Sequence, residues 1–340
     1  MMEANIRCVI PHAITIHVND LYKWLELVTI MEKATRLKYV FSNREVSAPK
    51  WIYRGQANSE WKISSSFERQ ILPLISEEVT DKEDALRTRE KSAIIHFRQW
   101  ASIPKQNEPS TEGEWLALMQ HYLVPTRLID FTEVPLFALG FALEDKTQKE
   151  ADFAVWAVRR NFYSRKFQFN QVVKHMRETN DRPSSCEILE TPDLELRVDD
   201  SDRHTIARIL GNLPTCELGE PDLLRYIPMG MNDRQKRQKG LFLASTHLSK
   251  KFMPLLHKWT LTNEQDLHDK NLEMDVDDTF ASNGLDDNVA NAHIIKYVFK
   301  KDLRSEVDCF LRCCNINALT RYGGLEKLAE ETAGMFKEGF

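Results

Sequence analysis

Residues 120–132, Gln-His-Tyr-Leu-Val-Pro-Thr-Arg-Leu-Ile-Asp-Phe-Thr, carry an unusual density of hydrogen-bonding side chains between two apolar segments. Upstream, residues 112–122 have apolar side chains at helical spacing, and downstream Pro135 opens an almost wholly apolar helix over residues 136–143. An unpartnered buried polar group costs about 1–3 kcal/mol. So many of them between two core helices predict either a preorganised polar network or a ligand site.

The segments around this stretch predict an α+β fold, in which a small central mixed sheet is flanked by helices within a single domain. Runs of β-branched and aromatic residues predict strands at residues 51–55, 152–158, 240–245 and 293–299. Apolar periodicity predicts further helices at residues 17–33, 83–100, 303–314 and 325–336. Because no repeat and no second core is visible, we expect one domain over residues 1–340.

Two polar stretches within that domain are expected to be mobile insertions. Residues 184–202 are acidic and rich in turn formers, and residues 262–288 carry many aspartates with few aromatics. The second stretch lacks the Asp-x-Asp-x-Asp-Gly spacing and terminal Glu of a calcium loop. We therefore expect no metal there.

Net charge, apolar runs and cysteine content limit the classes of protein to which this chain can belong. A net charge of −5 argues against a uniformly basic nucleic-acid-coating protein, although not against a local basic groove. The chain has no run of 18 apolar residues and no apolar leader, so no membrane association is expected. Six scattered cysteines favour a reducing cytoplasm, and Cys309, Cys313 and Cys314 are interpreted as buried structural thiols on a helix rather than as zinc ligands.

Common catalytic signatures, such as the Walker phosphate loop and the Gly-x-Ser-x-Gly elbow, are missing from the chain, so three dispersed polar clusters are the candidates. The first is Tyr53-Arg54-Gly55-Gln56 at a strand end. Arg54 there offers a rigid fork for phosphate or carboxylate, and Gly55 would let a ligand approach the backbone. The alternative is an Arg54 paired with an internal carboxylate such as Asp130.

The second cluster is the opening stretch itself. His121 could act as a general acid or base, and Tyr122 could stack on a base or ring, although a single histidine near a helix end is more often structural. Two interpretations of Arg127 and Asp130 stay open: they serve a ligand, or they pair with each other. Thr132 likewise has two possible roles, lining the site or capping the helix that follows.

The third cluster is Arg-Gln-Lys-Arg-Gln-Lys-Gly at residues 234–240, at the entrance to a predicted strand. Its positive charges could steer an anionic substrate or nucleic acid, or could simply be solvated. Strand alternation would place Gln238 and Gly240 on one face, which makes Gln238 a candidate site residue.

Together the clusters resemble the FRG domain family, named for a Phe-Arg-Gly motif that reads Tyr53-Arg54-Gly55 here. The family's Gln-His-Tyr-Gly-Leu-Pro-Thr-Arg-Leu-Leu-Asp-Trp-Thr is matched by residues 120–132, and further likeness extends to residues 238–242 and 315–320. Leu123 replaces a family glycine, so this position is expected to resist a left-handed backbone conformation. Phe131 replaces a tryptophan.

The order of these motifs is similar to that of the ADP-ribosyltransferase superfamily. The similarity implies a split sheet, NAD as co-substrate, Arg54 as the pyrophosphate clamp, and Tyr122 or His121 at the nicotinamide ribose. The implied catalytic set is Arg54, His121, Tyr122, Asp130 and Gln238. The implied cofactor-binding set is Tyr53, Arg54, Gly55, Gln56, Gln120, Thr126, Arg127 and Thr132. The superfamily's third-motif glutamate is missing, so either Asp130 supplies that charge or the similarity is architectural only.

Two functions therefore compete at this stage. One is an NAD-consuming transferase or hydrolase, acting as a toxin or antiphage effector on a nucleic-acid or protein acceptor. The other is a non-catalytic module that binds nucleotide or nucleic acid through Arg54, Arg127 and residues 234–239. A nuclease is a weaker third alternative, because the sequence shows no clustered carboxylates for paired metals.

Overall fold

The computed structural model describes most of the chain between residues 13 and 320: residues 13–34, 37–41, 44–48, 51–76, 78–104, 108–159, 187–189, 195–197, 223–228, 233–258, 272–281, 284–317 and 320. Its strands are β1 (Ala13–Val18), β2 (Leu37–Phe41), β3 (Arg44–Ala48), β4 (Trp51–Gln56), β5 (Leu128–Thr132), β6 (Phe153–Arg159), β7 (Glu187–Leu189), β8 (Glu195–Arg197), β9 (Leu223–Tyr226), β10 (Gly240–Ser245), β11 (Leu272–Asp275), β12 (Phe280–Ala281), β13 (Gly284–Leu285) and β14 (Ile294–Phe299). Its α-helices are α1 (Leu21–Ala34), α2 (Ser66–Gln70), α3 (Lys82–Trp100), α4 (Glu112–His121), α5 (Pro135–Ala142), α6 (Asp233–Gln238), α7 (Phe252–Lys258), α8 (Asp287–Asn291) and α9 (Arg304–Cys313).

Eight of these strands form one open mixed sheet in the order β11-β1-β14-β6-β4-β5-β10-β9. Strand β1 runs parallel to both of its neighbours, and the other pairs are antiparallel. Strands β4 and β5 share a single pairing, Tyr53 opposite Thr132, although each pairs extensively with its other neighbour. The sheet thus has two well-paired parts joined at one point. The α+β class is confirmed, with a larger sheet than expected.

Helices cover both faces of the sheet. One face packs against α1, α5 and α9, whose apolar side chains share a core with β1, β4, β6 and β14. The other face packs against α7, through Phe252, Leu255 and Leu256. Helices α3 and α4 pack together over β5 and β10. The junction of β4 and β5 therefore lies where all these helical layers meet the sheet.

The N-terminal helix starts later than predicted, because residues 13–18 form strand β1, the second strand from one edge of the sheet. Burial alternates along β1, with Ile14, Ile16 and Val18 in the core, and this alternation is the sequence signal that the helical interpretation overlooked. Asp20 caps the start of α1, since its Oδ1 accepts a hydrogen bond from the Tyr22 amide at 2.8 Å.

The predicted mobile insertion at residues 262–288 contains part of the sheet. Strand β11 pairs with β1, half-burying Leu272 and Met274 while Glu273 and Asp275 stay exposed. Two-residue periodicity therefore outweighed the acidic composition of this stretch. Residues 262–271 lie outside the described part of the chain. Of the other predicted insertion, only the short strands β7 and β8 are described, and they pair with each other.

Helix α9 exposes its cysteines. Val307 and Leu311, four residues apart, are buried against the core, and Cys309, Cys313 and Cys314 lie on the exposed side. The prediction of buried thiols was wrong, because the apolar stripe of the helix passes through the aliphatic residues instead. The helix predicted at residues 325–336 falls outside the described residues. Within the described part of the chain, no helix has the length and apolar character needed to cross a membrane.

Candidate functional site

Strand β4 places Tyr53 and Arg54 on opposite faces of the sheet, as adjacent strand residues must be. Tyr53 is buried in the core beside α1, where its hydroxyl donates to Glu32 Oε1 at 2.7 Å. Burial, with Glu32 nearby, raises the pKa of Tyr53 well above its ordinary value. Tyr53 therefore anchors β4 to α1, whereas Arg54 is the residue of this pair that reaches the junction between β4 and β5.

Arg54 is half-buried, and none of the described carboxylates pairs with it at salt-bridge distance. Its Nη1 donates to the backbone carbonyl of Asp130 at 2.7 Å, across the gap where β4 and β5 diverge. Its Nε is shielded from solvent and has no hydrogen-bond partner among the described residues. Burial lowers the pKa of Arg54; the charge of Asp130 opposes this shift and that of Arg69 adds to it. The alternative in which Arg54 pairs with the Asp130 carboxylate is therefore replaced by a bond to its carbonyl.

Asp130 carries the exposed carboxylate of this junction. It lies in the middle of β5, flanked by the buried side chains of Ile129 and Phe131. Its Oδ2 accepts a hydrogen bond from Gln120 Nε2 at 2.9 Å, and its Oδ1 receives none from the described residues. One oxygen of a charged group beside Arg54 is thus held in place, while the other is open.

Gln120 is in turn held by the turn that follows α4. Its Nε2 also donates to the Leu128 carbonyl at 3.3 Å, and its Oε1 accepts from the Thr126 hydroxyl at 2.6 Å. Thr126 is fully buried, and its amide donates to Ser66 Oγ on α2 at 3.0 Å. The polar density of residues 120–132 is therefore a connected network that fixes the Asp130 side chain.

A second arginine approaches the junction from α2. Arg69 is exposed, and its Nη1 donates to the backbone carbonyl of Ser64 at 2.6 Å. Its charge contributes to the lowered pKa of Arg54, which places both guanidinium groups in one local field. Arg54 therefore lies within the field of a second positive charge, from Arg69, as well as that of the Asp130 carboxylate.

Gly55 makes room for a helix. A side-chain carbon at this position would lie 1.9 Å from the carbonyl oxygen of Ala138 and 2.6 Å from the amide nitrogen of Ala142, both in α5. The glycine thus lets the α5 backbone pack directly on β4. The predicted approach of a ligand to this backbone face is blocked, because α5 already lies there.

Gln56 shares the face of Arg54 and is buried. Its Oε1 accepts a hydrogen bond from Trp156 Nε1 at 2.6 Å, and its Nε2 donates to the Lys62 carbonyl at 3.4 Å. Trp156 lies opposite Arg54 in the register of β6 with β4. Gln56 therefore orients the aromatic neighbour of Arg54 from within the sheet.

Arg127 points away from Asp130 into the interior. It is 2% exposed, and its Nε lies 2.8 Å from Glu90 Oε1 on α3, with a second contact between Nη2 and Oε2. Nη1 donates to the Ser245 carbonyl at 3.3 Å. The proposed pairing of Arg127 with Asp130 is not formed, because the guanidinium is fully engaged on the far side of β5.

Thr132 and Gln238 meet through a backbone contact. The Thr132 hydroxyl donates to the Gln238 carbonyl at 2.5 Å and accepts from the Val134 amide at 3.0 Å, where α5 begins. Gln238 ends helix α6 rather than lying in a strand, and Lys239, with φ of 45°, turns the chain into β10. The alternation argument for Gln238 therefore does not apply. Both side chains are buried.

His121 and Tyr122 end α4 at the surface. Tyr122 is 64% exposed, and its ring lies 5.1 Å from that of His121 and 6.3 Å from that of Phe97 on α3, between ring centroids. Leu123 follows with φ of 62°, in the left-handed region that the sequence analysis expected it to resist. The Val124 amide donates to the Met119 carbonyl and the Leu123 amide to that of Gln120, which is the Schellman helix end that a glycine normally provides.

Glu90 and Arg69 are the participants that the sequence analysis missed. Glu90 sits in a charged helical run, and only its position on the buried side of α3, with Leu86 and Ile94, could have indicated an internal partner. Arg69 carries no local signal. In the described part of the chain, no three His, Cys, Asp or Glu side chains are grouped so as to hold a metal ion.

Comparison with known proteins gives one match. Residues 49–151 match the family model of the FRG domain, a range that contains Arg54, Gln120, Thr126 and Asp130 but not Gln238. No curated protein and no solved structure matches the chain. The matched range contributes two strands to the sheet, β4 and β5, which are the two that meet at the candidate site.

Proposed function

We propose that this chain, whose residues 49–151 are an FRG domain, consumes NAD as an ADP-ribosyltransferase or an NAD glycohydrolase. The observation that supports the proposal is the charge arrangement between β4 and β5. Arg54 has no carboxylate partner among the described residues, and it donates to the backbone carbonyl of Asp130, whose carboxylate has one open oxygen and whose charge acts on Arg54.

Arg54 supplies the anion-binding half of the site. A guanidinium fork binds two phosphate oxygens at once, and its attraction for them is stronger where water is excluded. Its shielded Nε is a donor without a hydrogen-bond partner among the described residues, and burial disfavours the charge of the guanidinium and lowers its pKa. A bound pyrophosphate would satisfy both needs. Arg69 would add a second positive charge from α2.

Asp130 supplies the charge for bond cleavage. When the bond between nicotinamide and the ribose breaks, its electron pair leaves with neutral nicotinamide, and positive charge develops on the ribose carbon. A fixed carboxylate nearby stabilises that charge. Water, or a nucleophile of the acceptor, then bonds to the carbon and loses a proton. We assign to Asp130 the role that a glutamate has in the ADP-ribosyltransferase superfamily.

The remaining predicted residues divide by position. Tyr122 and His121 are exposed and available to contact the nicotinamide ribose. Gln120 orients Asp130, and Thr126 orients Gln120. The others hold the framework through the contacts described above: Tyr53, Gly55, Gln56, Arg127, Thr132 and Gln238. In this proposal they act on catalysis only by positioning β4 and β5.

An effector role, as a toxin or in antiphage defence, is part of the same proposal, with the cytoplasm as its compartment. The three described cysteines are unpaired and exposed, as is common in reducing compartments. If the role is correct, expression should arrest cell growth, and Arg54→Gln should relieve the arrest at equal protein level. The role would be contradicted if Arg54→Gln relieved the growth arrest while cellular NAD was the same in cells that express the variant and in cells that express the wild type.

The deciding experiment is incubation of the purified protein with NAD while free nicotinamide is measured. Separate arms contain single-stranded DNA, RNA or protein extract as acceptor. We expect release by the wild type, and a loss of about 10²- to 10³-fold in Asp130→Asn, the usual cost of removing one electrostatic stabiliser. Arg54→Gln should lose NAD binding, whereas Arg312→Gln, an exposed arginine on α9, should match the wild type.

Thermal unfolding of each variant separates lost chemistry from lost folding. No nicotinamide release in any arm, together with no NAD binding, would refute the enzyme proposal. In that case Arg54 favours the second candidate, a non-catalytic nucleotide-binding module, because the same unpaired guanidinium would bind a phosphate without the need for bond cleavage.

A further inference from the structure

A stripe of exposed aromatic and basic side chains runs along α3 to the end of α4, and the proposed NAD chemistry does not use the α3 part of it. Arg89, His96 and Trp100 lie on one side of α3, because their spacings of seven and four residues return to the same helical face. At the end of α4, Tyr122 lies 6.3 Å from Phe97, the neighbour of His96 on α3, and 5.1 Å from His121, between ring centroids. We call these five residues the aromatic-basic stripe.

The large rings of this stripe face solvent, and each has an aromatic neighbour. Trp100 is 76% exposed and Tyr122 is 64% exposed. The ring centroids of His96 and Trp100 are 6.3 Å apart, and Phe97 lies 6.3 Å from Tyr122. Large aromatic side chains are usually more buried than this in a folded protein. Exposed ring faces of this size are suited to stacking against a planar partner.

The charge around the stripe is positive. From Thr88 to the end of α3, the exposed charged residues are Arg89, Lys91 and Arg98. The one acidic residue of that stretch, Glu90, is buried against Arg127. Lys91 and Arg98 lie on the other flank of the helix but within about one Debye length, so they add to the field.

We propose that single-stranded nucleic acid binds along the aromatic-basic stripe, with bases stacked on Trp100 and Tyr122 and a phosphate at Arg89. Exposed aromatic rings combined with positive charge are the features that sequence-tolerant single-strand binding uses. The single strand fits better than a duplex, because stacking on a side chain needs an unpaired base face. The site is independent of Arg54 and stands whether or not NAD is cleaved.

The test is fluorescence anisotropy with labelled 12-nucleotide oligo-dT, oligo-rU and a 12-base-pair duplex at low salt. Either single strand should bind more tightly than the duplex, and the stronger of the two identifies the preferred sugar. Trp100→Ala and Tyr122→Ala should each weaken binding about tenfold, as the loss of one stacked base does. Arg89→Gln should reduce the salt-dependence slope by about 0.7, the value for one phosphate contact on a single strand.

Matched controls make the result specific. Tyr22→Ala removes a ring of similar exposure, 67%, from α1, and Lys149→Gln removes an exposed charge elsewhere; neither should change the affinity. Arg54→Gln should also bind single strands normally, which shows that this binding does not need the proposed pyrophosphate clamp even though Tyr122 and His121 belong to both proposed sites. The proposal is wrong if the wild type does not bind single strands, if the duplex binds equally well, or if Tyr22→Ala weakens binding as much as Trp100→Ala. Trp100-dependent self-association without nucleic-acid binding would instead identify a protein contact and overturn the proposal.

Discussion

Arg127 and Glu90 form a two-pronged ion pair inside the protein, with Nε 2.8 Å from Oε1 and Nη2 against Oε2. Both side chains are almost fully buried. The pair ties the start of β5 to the middle of α3, and Arg127 also donates to the Ser245 carbonyl at the end of β10. It therefore fixes the segment that carries Gln120 and Asp130 without contacting the site.

Removing one member of this pair should destabilise the whole protein. Glu90→Gln leaves the Arg127 charge buried without compensation, and we expect a loss of about 3–5 kcal/mol in the free energy of unfolding. Urea denaturation measures it. The exposed pair Asp308 and Arg312 is the control, because Asp308→Asn should cost under about 1 kcal/mol.

The double substitution Glu90→Leu with Arg127→Met removes both charges together. Its loss in the free energy of unfolding should be clearly less than the sum of the losses in Glu90→Leu alone and Arg127→Met alone, because no buried charge remains in the double variant. Strict additivity would show that the two residues act separately and that the ion pair is not the source of the effect.

Leu123→Gly should stabilise the protein. Leu123 has φ of 62° and is 89% exposed, so its side chain adds strain and little burial. A left-handed conformation costs a residue with a side chain about 1–2 kcal/mol. Glycine avoids this cost, but its greater freedom in the unfolded chain lowers stability by about 0.4–1 kcal/mol. We therefore expect a net gain of roughly 0.5–1 kcal/mol in urea denaturation.

Leu123→Ala is the matched control for that change. It removes the same exposed side chain but keeps a Cβ at positive φ, so its stability should stay near that of the wild type. A gain in Leu123→Ala equal to that in Leu123→Gly would point to loss of exposed apolar surface rather than to backbone strain.

Gly55→Ala should disrupt folding rather than binding alone. The added carbon would lie 1.9 Å from the Ala138 carbonyl oxygen, so α5 must move away from β4. We expect destabilisation at or above the upper end of the ~1–3 kcal/mol that is usual for overpacking. Circular dichroism and thermal unfolding measure this.

The clash at Gly55 involves backbone atoms of α5, so shortening a neighbouring side chain cannot relieve it. Ala138→Gly should therefore fail to rescue Gly55→Ala. A well-folded Gly55→Ala protein that had only lost nucleotide affinity would instead restore the original interpretation, in which this glycine faces a ligand.

The carboxylate of Glu83 should make stability depend on acidity. Burial by itself would raise the pKa of Glu83, but the Ser249 and Leu248 amides, the Ser249 hydroxyl and Arg87 outweigh it and lower the pKa below the ordinary 4.5. A carboxyl with a lowered pKa contributes stability above its ordinary pKa and loses it as pH falls through the folded value. We expect wild type to exceed Glu83→Gln in stability by a constant amount above about pH 5, and by a shrinking amount below about pH 4.5.

Ser92→Ala, an exposed change on the same helix, provides the reference for the acid series. Its difference from wild type should not vary with pH, since no titrating group is altered. If the Glu83→Gln difference were also flat down to pH 3, the hydrogen bonds that Glu83 accepts from the turn at residues 248–249 would not depend on its charge.

Strong periodicity and composition predicted much of the fold. The strands near residues 51, 153, 240 and 294 and the helices α3, α4 and α5 were placed within about two residues of their ends. Strands β5 and β11 were not predicted. Polar residues interrupt the alternation in β5, and the acids around β11 suggested a loop, because local composition cannot report which strand will pair beside a segment.

The prediction of the site was uneven for a related reason. Residue type made Arg54, Gln120 and Asp130 candidates for a site, and the structure links these three by hydrogen bonds at the junction of β4 and β5. In contrast, Arg127 points inward to Glu90, and Gly55 packs against the backbone of α5. Nothing in residues 120–132 distinguishes an arginine that faces a ligand from one that faces Glu90.

By itself, the sequence determined the family resemblance, the α+β class and the location of the polar network, because these depend on residue type and short-range spacing. Only the tertiary structure decided which partner each polar group has. Among the described residues, Arg54 donates to a backbone carbonyl of β5 rather than to a carboxylate, whereas Arg127 pairs with Glu90 of α3. Both relationships join residues far apart in the chain, and hydrogen bonding over such separations is set by packing rather than by local pattern.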